Sequence, residues 1–168
     1  MSEISGIINM IKPLGWTSMD VVRLVKKQKR QKKIGHAGTL DPQATGILPI
    51  CIGQATRVME YIIDSPKTYR AKVFLGEATD TYDTQGEVTF RGDASWISKE
   101  DIVKQLQTFE GSIYQVPPMY SALKKEGKRL YNLARAGTEI EREPRLVECY
   151  KVALSLIHIS EPTRLGMI

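Results

Sequence analysis

The stretch GHAGTLDPQATG, residues 35–46, limits the possible structures of this chain more than any other. It places three glycines and a proline between a lysine-rich segment and an apolar one. Such a composition is typical of a loop. Pro42 fixes its own φ and biases Asp41 away from helical backbone, which restricts the orientation of the Asp41 carboxylate. The glycines at 35, 38 and 46 allow the backbone to approach a bulky ligand closely. The loop therefore carries one stiffly held carboxylate.

The residues alone leave two interpretations of Asp41 open. A pre-positioned aspartate can act as a covalent nucleophile or a general base without a cofactor. The same residue can instead form an Asx-turn at the start of a loop. Other reaction classes are disfavoured: the glycines lead to no G-K-[ST] ending, no G-x-S-x-G motif occurs, and His36 and His158 are far apart.

Positive charge is concentrated at the start of the chain. Residues 1–40 contain eight basic and two acidic side chains, a balance of +6, whereas the remainder balances to −1. On a helix running from Ser18 to Lys33, the basic side chains would share one face, opposite valines and a leucine. The members of this predicted stripe are Arg23, Lys26, Lys27, Arg30 and Lys33. Such a stripe suits RNA phosphates, and a solvated helix face is the alternative.

Strand-like and helix-like segments alternate along the chain without regular βαβ spacing. We predict strands at 6–12, 47–53, 67–76, 88–90 and within 138–156, and helices at 18–33, 55–64, 98–111 and 128–137. Tyr69 would lie on one face of the strand at 67–76. The pattern favours an α+β fold with a mixed, largely antiparallel sheet and flanking helices.

Composition and cysteine spacing limit the cellular compartment and the cofactors that we expect for the protein. No apolar run approaches the ~20 residues of a membrane helix, and the first residues lack the features of a signal peptide. Cys51 and Cys149 match no metal-ligand spacing. We therefore expect a cytoplasmic protein that uses neither a membrane nor a metal.

Four stretches in one order then resemble a known family. GHAGTLDPQATGILPICIGQATR closely resembles the catalytic motif of the bacterial tRNA pseudouridine-55 synthases, the TruB family. INMIKPLGWTSMDVV, KTYRAKVFLGEATDTYDTQGE and VPPMYSALKKEGKRLYNLARAGTEIEREPR resemble further segments of that family. Together they cover roughly residues 6–153. The resemblance implies the fold of a pseudouridine synthase catalytic domain, in incomplete form.

The resemblance also implies an activity. Members of the family flip a uridine out of the T arm of tRNA, detach the base from its ribose, rotate it and rejoin it through C5. Asp41 matches the catalytic aspartate, which acts as a nucleophile or as the base of a glycal route. The implied enzyme is an isomerase that needs no cofactor and no metal. We expect it to be a monomer with tRNA as its partner.

Further site residues are implied by position. Tyr69 matches the tyrosine that packs on the uracil, and His36 matches a histidine that inserts into the T loop. Lys12 and Pro13 match a pair that supports the wall of the active site, and Lys12 could stabilise the Asp41 carboxylate if it is close. Asp83 matches an aspartate that helps to order the site, with a simple turn residue as the alternative.

The resemblance ends before the chain does. We interpret residues 1–154 as the N-terminal portion of the catalytic domain and residues 155–168 as a tail that matches nothing in the family and looks like adapter or vector sequence. A short, diverged natural terminus is the alternative. The family's arginine partner of Asp41 lies beyond this point, so we expect low stability and little activity. The alternative function is a non-catalytic tRNA-binding or RNA-chaperone module.

Overall fold

The computed structural model describes residues 4–118, 124–125, 128–129 and 140–155. Its contacts divide the chain into two units, Met1–Ala71 and Lys72–Ile168, and each unit has its own elements. The first unit contains strands β1 (Gly6–Lys12), β2 (Ile34–His36) and β3 (Gly46–Ile52), helices α1 (Ser18–Lys29) and α2 (Met59–Ile63), and a 3-10 helix at Gly53–Val58. The second contains β4 (Glu77–Thr79), β5 (Val88–Arg91), α3 (Lys99–Gln107), β6 (Gly111–Gln115), β7 (Lys124–Lys125), β8 (Lys128–Arg129) and β9 (Arg145–Cys149).

Every ladder in the described part of the chain is antiparallel. The first unit holds one sheet in the order β1-β3-β2, and the second holds the pairs β4-β5, β6-β9 and β7-β8. Helices accompany the sheets in both units. The predicted α+β class is confirmed, with the strands distributed over several small sheets.

The core of the first unit lies between α1 and one face of the sheet. Successive residues of a strand point to opposite faces, so alternate positions of β1 and β3 face the helix. The cluster consists of Val21, Val22, Val25, Ile34, Leu48, Ile50 and Ile52, with Ile8, Met10 and Leu40 packed against it. Full burial of one such side chain stabilises a fold by roughly 1.5–3 kcal/mol, so this layer holds α1 against the sheet.

The other face of the same sheet is covered unevenly. A Cβ built on Gly35 would lie 2.9 Å from the Met59 sulfur, so α2 packs closely over this part of the face. Ile11 pairs with Ile47 on the same face, and these side chains are 78% and 66% exposed. Apolar surface therefore remains open beside the end of β1.

Helix α1 begins where the sequence predicts and ends earlier. The Thr17 side chain accepts a hydrogen bond from the Asp20 N–H, and Asp20 accepts one from the Thr17 N–H, which forms a capping box. Arg30 then adopts a left-handed conformation (φ 51°) that ends the helix after Lys29. The predicted helix to Lys33 is too long, and the five basic residues do not share one helix.

The strand predicted at 67–76 is wrong. The segment is irregular and largely exposed, and no described strand pairs with it. Alternating residues form a strand only where a neighbour supplies backbone partners, and here the ladder begins at Glu77, opposite Arg91. Likewise, the helix predicted at 55–64 becomes the 3-10 helix followed by α2.

The remaining predicted elements lie in the second unit. Helix α3 begins after Ser98 with a second capping box, formed with Asp101, and its last residue is Gln107 rather than Gly111. Of the helix predicted at 128–137, Lys128–Arg129 form β8, and the rest lies outside the described residues. Strand β9 occupies part of the predicted 138–156 region. In the described ranges, no helix has both the length and the apolar character to cross a bilayer.

Candidate active site

Asp41 lies in the loop between β2 and β3, at the first position of a tight turn. Its carbonyl oxygen accepts a hydrogen bond from the Ala44 N–H at 2.9 Å, with Pro42 at the second position, where proline favours such turns. The side chain is exposed. Over the part of the chain that the structure describes, no group donates to its carboxylate or pairs with it. The backbone closes the turn, and the carboxylate is left available.

A buried serine fixes the residue before Asp41. Ser18 is the first residue of α1, and its Oγ accepts a hydrogen bond from the Leu40 N–H at 3.0 Å and lies 3.3 Å from the Leu40 carbonyl oxygen, to which it donates. Leu40 itself packs against the core. The chain entering Asp41 is therefore tied to the start of α1.

A buried lysine and a glycine fix the residue after Asp41. Lys12 is fully buried, and its Nζ donates to the carbonyl oxygens of Pro13 at 2.9 Å, Trp16 at 2.7 Å and Pro42 at 3.5 Å. The Gly15 N–H donates to the same Pro42 oxygen at 2.8 Å, and Gly15 has a φ of +79°, which glycine adopts without strain. This segment, 12–18, thus binds both neighbours of Asp41.

The expectation that Lys12 stabilises the Asp41 carboxylate directly is not met. The described partners of the Lys12 ammonium are backbone carbonyls, and the described residues contain no ion pair with Asp41. Three carbonyl dipoles replace the water that the ammonium loses on burial. Lys12 therefore acts on Asp41 through the loop backbone, and the supporting role expected for Lys12 with Pro13 in the active-site wall stays a prediction.

His36 lies at the end of β2, where the same loop begins. Its Nδ1 pairs with the carbonyl oxygen of Gly38, and the Ala37 N–H donates to the Pro49 carbonyl at 2.9 Å. A carbonyl oxygen can only accept, so Nδ1 is the donor of this hydrogen bond. Half-buried His36 and exposed Asp41 thus belong to one loop.

Tyr69 and Asp83 belong to other segments of the chain than this loop. Tyr69 is exposed in the irregular segment after α2, and its hydroxyl has no hydrogen bond among the described residues. Asp83 belongs to the second unit, where its Oδ1 accepts from the Thr81 hydroxyl at 2.6 Å and from the Gln85 N–H at 2.9 Å. That pattern is an Asx-type turn. The roles expected for both residues stay predictions.

The basic residues of the predicted stripe have different surroundings. Arg23 forms an ion pair with Asp20 at 2.7 Å, Lys26 is half-buried, and Lys27 is exposed on α1. Arg30 and Lys33 are exposed beyond the helix. The pKa of Asp20 lies below its usual value, mainly because the Thr17 hydroxyl and N–H donate to its carboxylate, with a smaller contribution from Arg23.

Sequence reasoning missed Ser18 as a site residue. Thr17 and Ser18 are adjacent candidates for the helix cap, and either one satisfies the local pattern. In the structure Thr17 is the cap, which leaves Ser18 free to bind Leu40. A second hydroxyl next to a satisfied cap is the signal that could have pointed to it.

Several curated bacterial proteins are similar to this chain. The tRNA pseudouridine synthase B of Clostridium tetani is 51% identical over 155 residues, which are 92% of this chain and 54% of that protein. The proteins of the same name from Symbiobacterium thermophilum and Dehalococcoides mccartyi are 52% and 51% identical, over 91% and 89% of this chain and 51% and 50% of theirs. The chain spans about half the length of the curated relatives it matches.

Structural and family comparisons agree with these relatives. A chain in the crystal structure of a Cbf5–Nop10–Gar1 complex is 28% identical with a TM-score of 0.58, over 91% of this chain and 36% of that chain. Residues 26–165 match the family described as TruB family pseudouridylate synthase (N terminal domain). The resemblance seen in the sequence is confirmed: this chain belongs to the TruB family of pseudouridylate synthases.

Proposed function

We propose that the protein isomerises uridine 55 in the T arm of tRNA to pseudouridine, with Asp41 as the reacting group. The observation that carries this proposal is the state of Asp41: both neighbouring residues are held by segment 12–18, while its carboxylate is exposed and has no partner among the described residues. A carboxylate held in this way loses little freedom on meeting a substrate. The names of the curated relatives support tRNA as the substrate.

The reaction breaks the glycosidic bond between C1′ and N1, turns the base and forms a bond between C1′ and C5. C5 then loses its proton to water and N1 gains one, so that the product is an isomer of the substrate. Asp41 serves as the nucleophile or as the base of a glycal route, and both remain open. The target uridine leaves the RNA stack before it reaches the loop. In this proposal Tyr69 packs on the flipped base, His36 enters the T loop, and Asp83 orders the site.

Electrostatic attraction brings the RNA to this part of the chain. Residues 1–40 carry the excess positive charge, and Arg23, Lys26, Lys27, Arg30 and Lys33 are the proposed phosphate contacts. The substrate implies a cytoplasmic reaction, and we propose that the protein works as a monomer. Binding of tRNA without turnover is the second candidate function, because the chain spans about half the length of its relatives.

The proposal is tested with T-arm stem-loop RNA whose uridines carry tritium at C5, because isomerisation releases that label to water. The chain is assayed as it stands and as a chimera in which residues 1–154 precede the C-terminal half of the Clostridium tetani relative. We expect turnover by the chimera. Asp41→Asn should reduce it by at least about 10³-fold and leave RNA binding within a few-fold, because the loop backbone is unchanged.

Asp64→Asn is the matched control, since it removes an exposed carboxylate of the same unit that lies outside the loop. It should leave turnover unchanged. Substantial isomerisation by the Asp41→Asn chimera would refute the assignment of Asp41. Tight RNA binding by a chimera that never releases tritium would favour the second candidate.

A further inference from the structure

An open groove lies on the surface of the first unit, along the start of α1. Its volume is about 500 Å³, and it is lined by Gly15, Trp16, Asp20, Arg23, Leu24 and Lys27. Sites for small molecules commonly have volumes of roughly 300–1,000 Å³, so the groove can receive a group of nucleotide size. Two of these residues, Arg23 and Lys27, are among the phosphate contacts proposed above, and the others have no role assigned there.

Trp16 gives the groove an aromatic wall. Its side chain is 39% exposed, and its indole N–H has no acceptor among the described residues. Trp96 in the second unit shows the contrast, because its Nε1 donates to the Asp93 carbonyl at 2.9 Å. An accessible indole with an unused donor suits a planar polar group, which is the chemistry of a nucleobase.

The groove also carries one unpaired positive charge. Arg23 and Asp20 neutralise one another through their 2.7 Å ion pair. Lys27, one helical turn further along, has neither a hydrogen bond nor an ion pair in the part of the chain that the structure describes. Its ammonium is therefore free to meet an anion beside Trp16. An aromatic wall next to a free cation matches a base joined to a phosphate.

The position of the groove connects it to Asp41. Gly15 lines the groove, and its N–H donates to the carbonyl oxygen of Pro42 at 2.8 Å. The Trp16 carbonyl shares the Lys12 ammonium with the same Pro42 oxygen. One wall of the groove is thus bonded to the residue that follows Asp41. The groove therefore adjoins the loop that carries Asp41.

We infer that this groove binds a nucleotide of the substrate RNA next to the target uridine, with its base against Trp16 and its phosphate at Lys27. The inference rests on the proposed function for the identity of the RNA. It assigns Trp16 and Lys27 to recognition, whereas Asp41 performs the chemistry.

Fluorescence of single-tryptophan variants of the 168-residue chain tests the inference directly. Trp96→Phe leaves Trp16 as the reporter, and Trp16→Phe leaves Trp96, which is 74% exposed and serves as the matched control. T-arm stem-loop RNA should quench the fluorescence of Trp16, with half of the effect at the RNA concentration that gives half-saturation in a filter-retention assay. The fluorescence of Trp96 should not change. Unaltered Trp16 emission at saturating RNA would overturn the inference. Equal quenching by polyglutamate would also overturn it, since the groove would then bind any polyanion.

Affinity measurements supply the second test. Trp16→Ala should weaken RNA binding between about 5-fold and about 100-fold, and Trp16→Phe should lose much less, because a smaller ring still stacks. Lys27→Gln should lower the slope of log affinity against log salt by about 0.7–0.9, as expected for one lost phosphate contact. Lys99→Gln, which removes one charge from the second unit, should leave that slope unchanged. Equal salt slopes for the Lys27→Gln and Lys99→Gln variants would contradict a phosphate contact at Lys27.

Turnover separates this inference from the proposed function. If the chimera converts uridine and its Trp16→Ala variant binds and converts as well as the parent, only the groove assignment fails. If no form of the protein binds or converts T-arm RNA, the proposed function fails. Circular dichroism of each variant confirms that α1 remains folded.

Discussion

At the scale of single residues, Ser18 joins α1 to the loop of Asp41 through two hydrogen bonds with Leu40. We predict that Ser18→Ala lowers the free energy of unfolding by about 1–3 kcal/mol, because the Leu40 N–H loses its partner in a largely buried position. Urea denaturation measures the change. Thr17→Ser is the control, since it retains the capping hydroxyl and should stay within about 0.5 kcal/mol of the parent. A Ser18→Ala protein as stable as the parent would show that the hydrogen bonds between Ser18 and Leu40 contribute nothing to stability.

The sequence predicts some site residues better than others. The Asp41–Pro42 turn follows from local backbone rules, so its geometry is predictable from two adjacent residues. The link from Lys12 to the loop of Asp41 depends on a carbonyl 30 residues away, and no local pattern encodes such a contact. Ser18 was hidden for the same reason. The role of Tyr69 rests on the resemblance and stays a prediction.

At the scale of elements, two helices begin with an ionised capping box. Hydrogen bonds from Thr17 to Asp20, and from its counterpart Ser98 to Asp101 in the second unit, hold the pKa values of both carboxyl groups below their usual value. A carboxyl whose pKa is lowered by folding stabilises the protein above its unfolded pKa and loses that contribution as the pH falls through the folded pKa. We predict that α1 and α3 weaken on acidification below about pH 3.8, the ordinary aspartate value.

Far-UV circular dichroism across an acid titration measures this loss of helix. The double variant Asp20→Asn, Asp101→Asn should have less helix at neutral pH and a shallower acid transition, because its caps cannot be protonated. Asp64→Asn, which removes a carboxylate outside both caps, should follow the parent curve. An acid transition of unchanged depth in the double variant would contradict the prediction.

Element boundaries show where sequence reasoning fails. The start of α1 is predictable because Thr17 and Asp20 form a local motif. Its end is not, since Arg30 adopts a left-handed conformation that its side chain does not favour. The alternation around Tyr69 predicted a strand, but a strand also needs a partner, and partners are set by the whole fold.

At the scale of the whole molecule, Ile11 and Ile47 expose apolar surface on one face of the first sheet. We predict that the chain, a monomer at low concentration, self-associates as its concentration rises and that Ile11→Thr combined with Ile47→Thr weakens this association. Threonine keeps a β-branched side chain, so strand stability should change by less than about 0.5 kcal/mol at these exposed positions.

Size-exclusion chromatography with light scattering at several concentrations checks this prediction, and it also tests the monomer expected from the sequence. Val88→Thr makes a matched substitution in β5 of the second unit, where the side chain is exposed. It should associate as the parent does. The same concentration dependence in the double variant would exclude the face of Ile11 and Ile47 as the route of association.

The hydrogen bonds from segment 12–18 to residues 40 and 42 also join positions that are distant along the chain. Ser18 and Leu40 are 22 residues apart, and their bonds close the intervening α1 and β2 into a ring. Closing such a ring carries an entropic cost that burial of the α1 core offsets. We expect the loop of Asp41 to open together with this ring. We therefore expect the Asp41 carboxylate to keep its local order for as long as α1 stays folded.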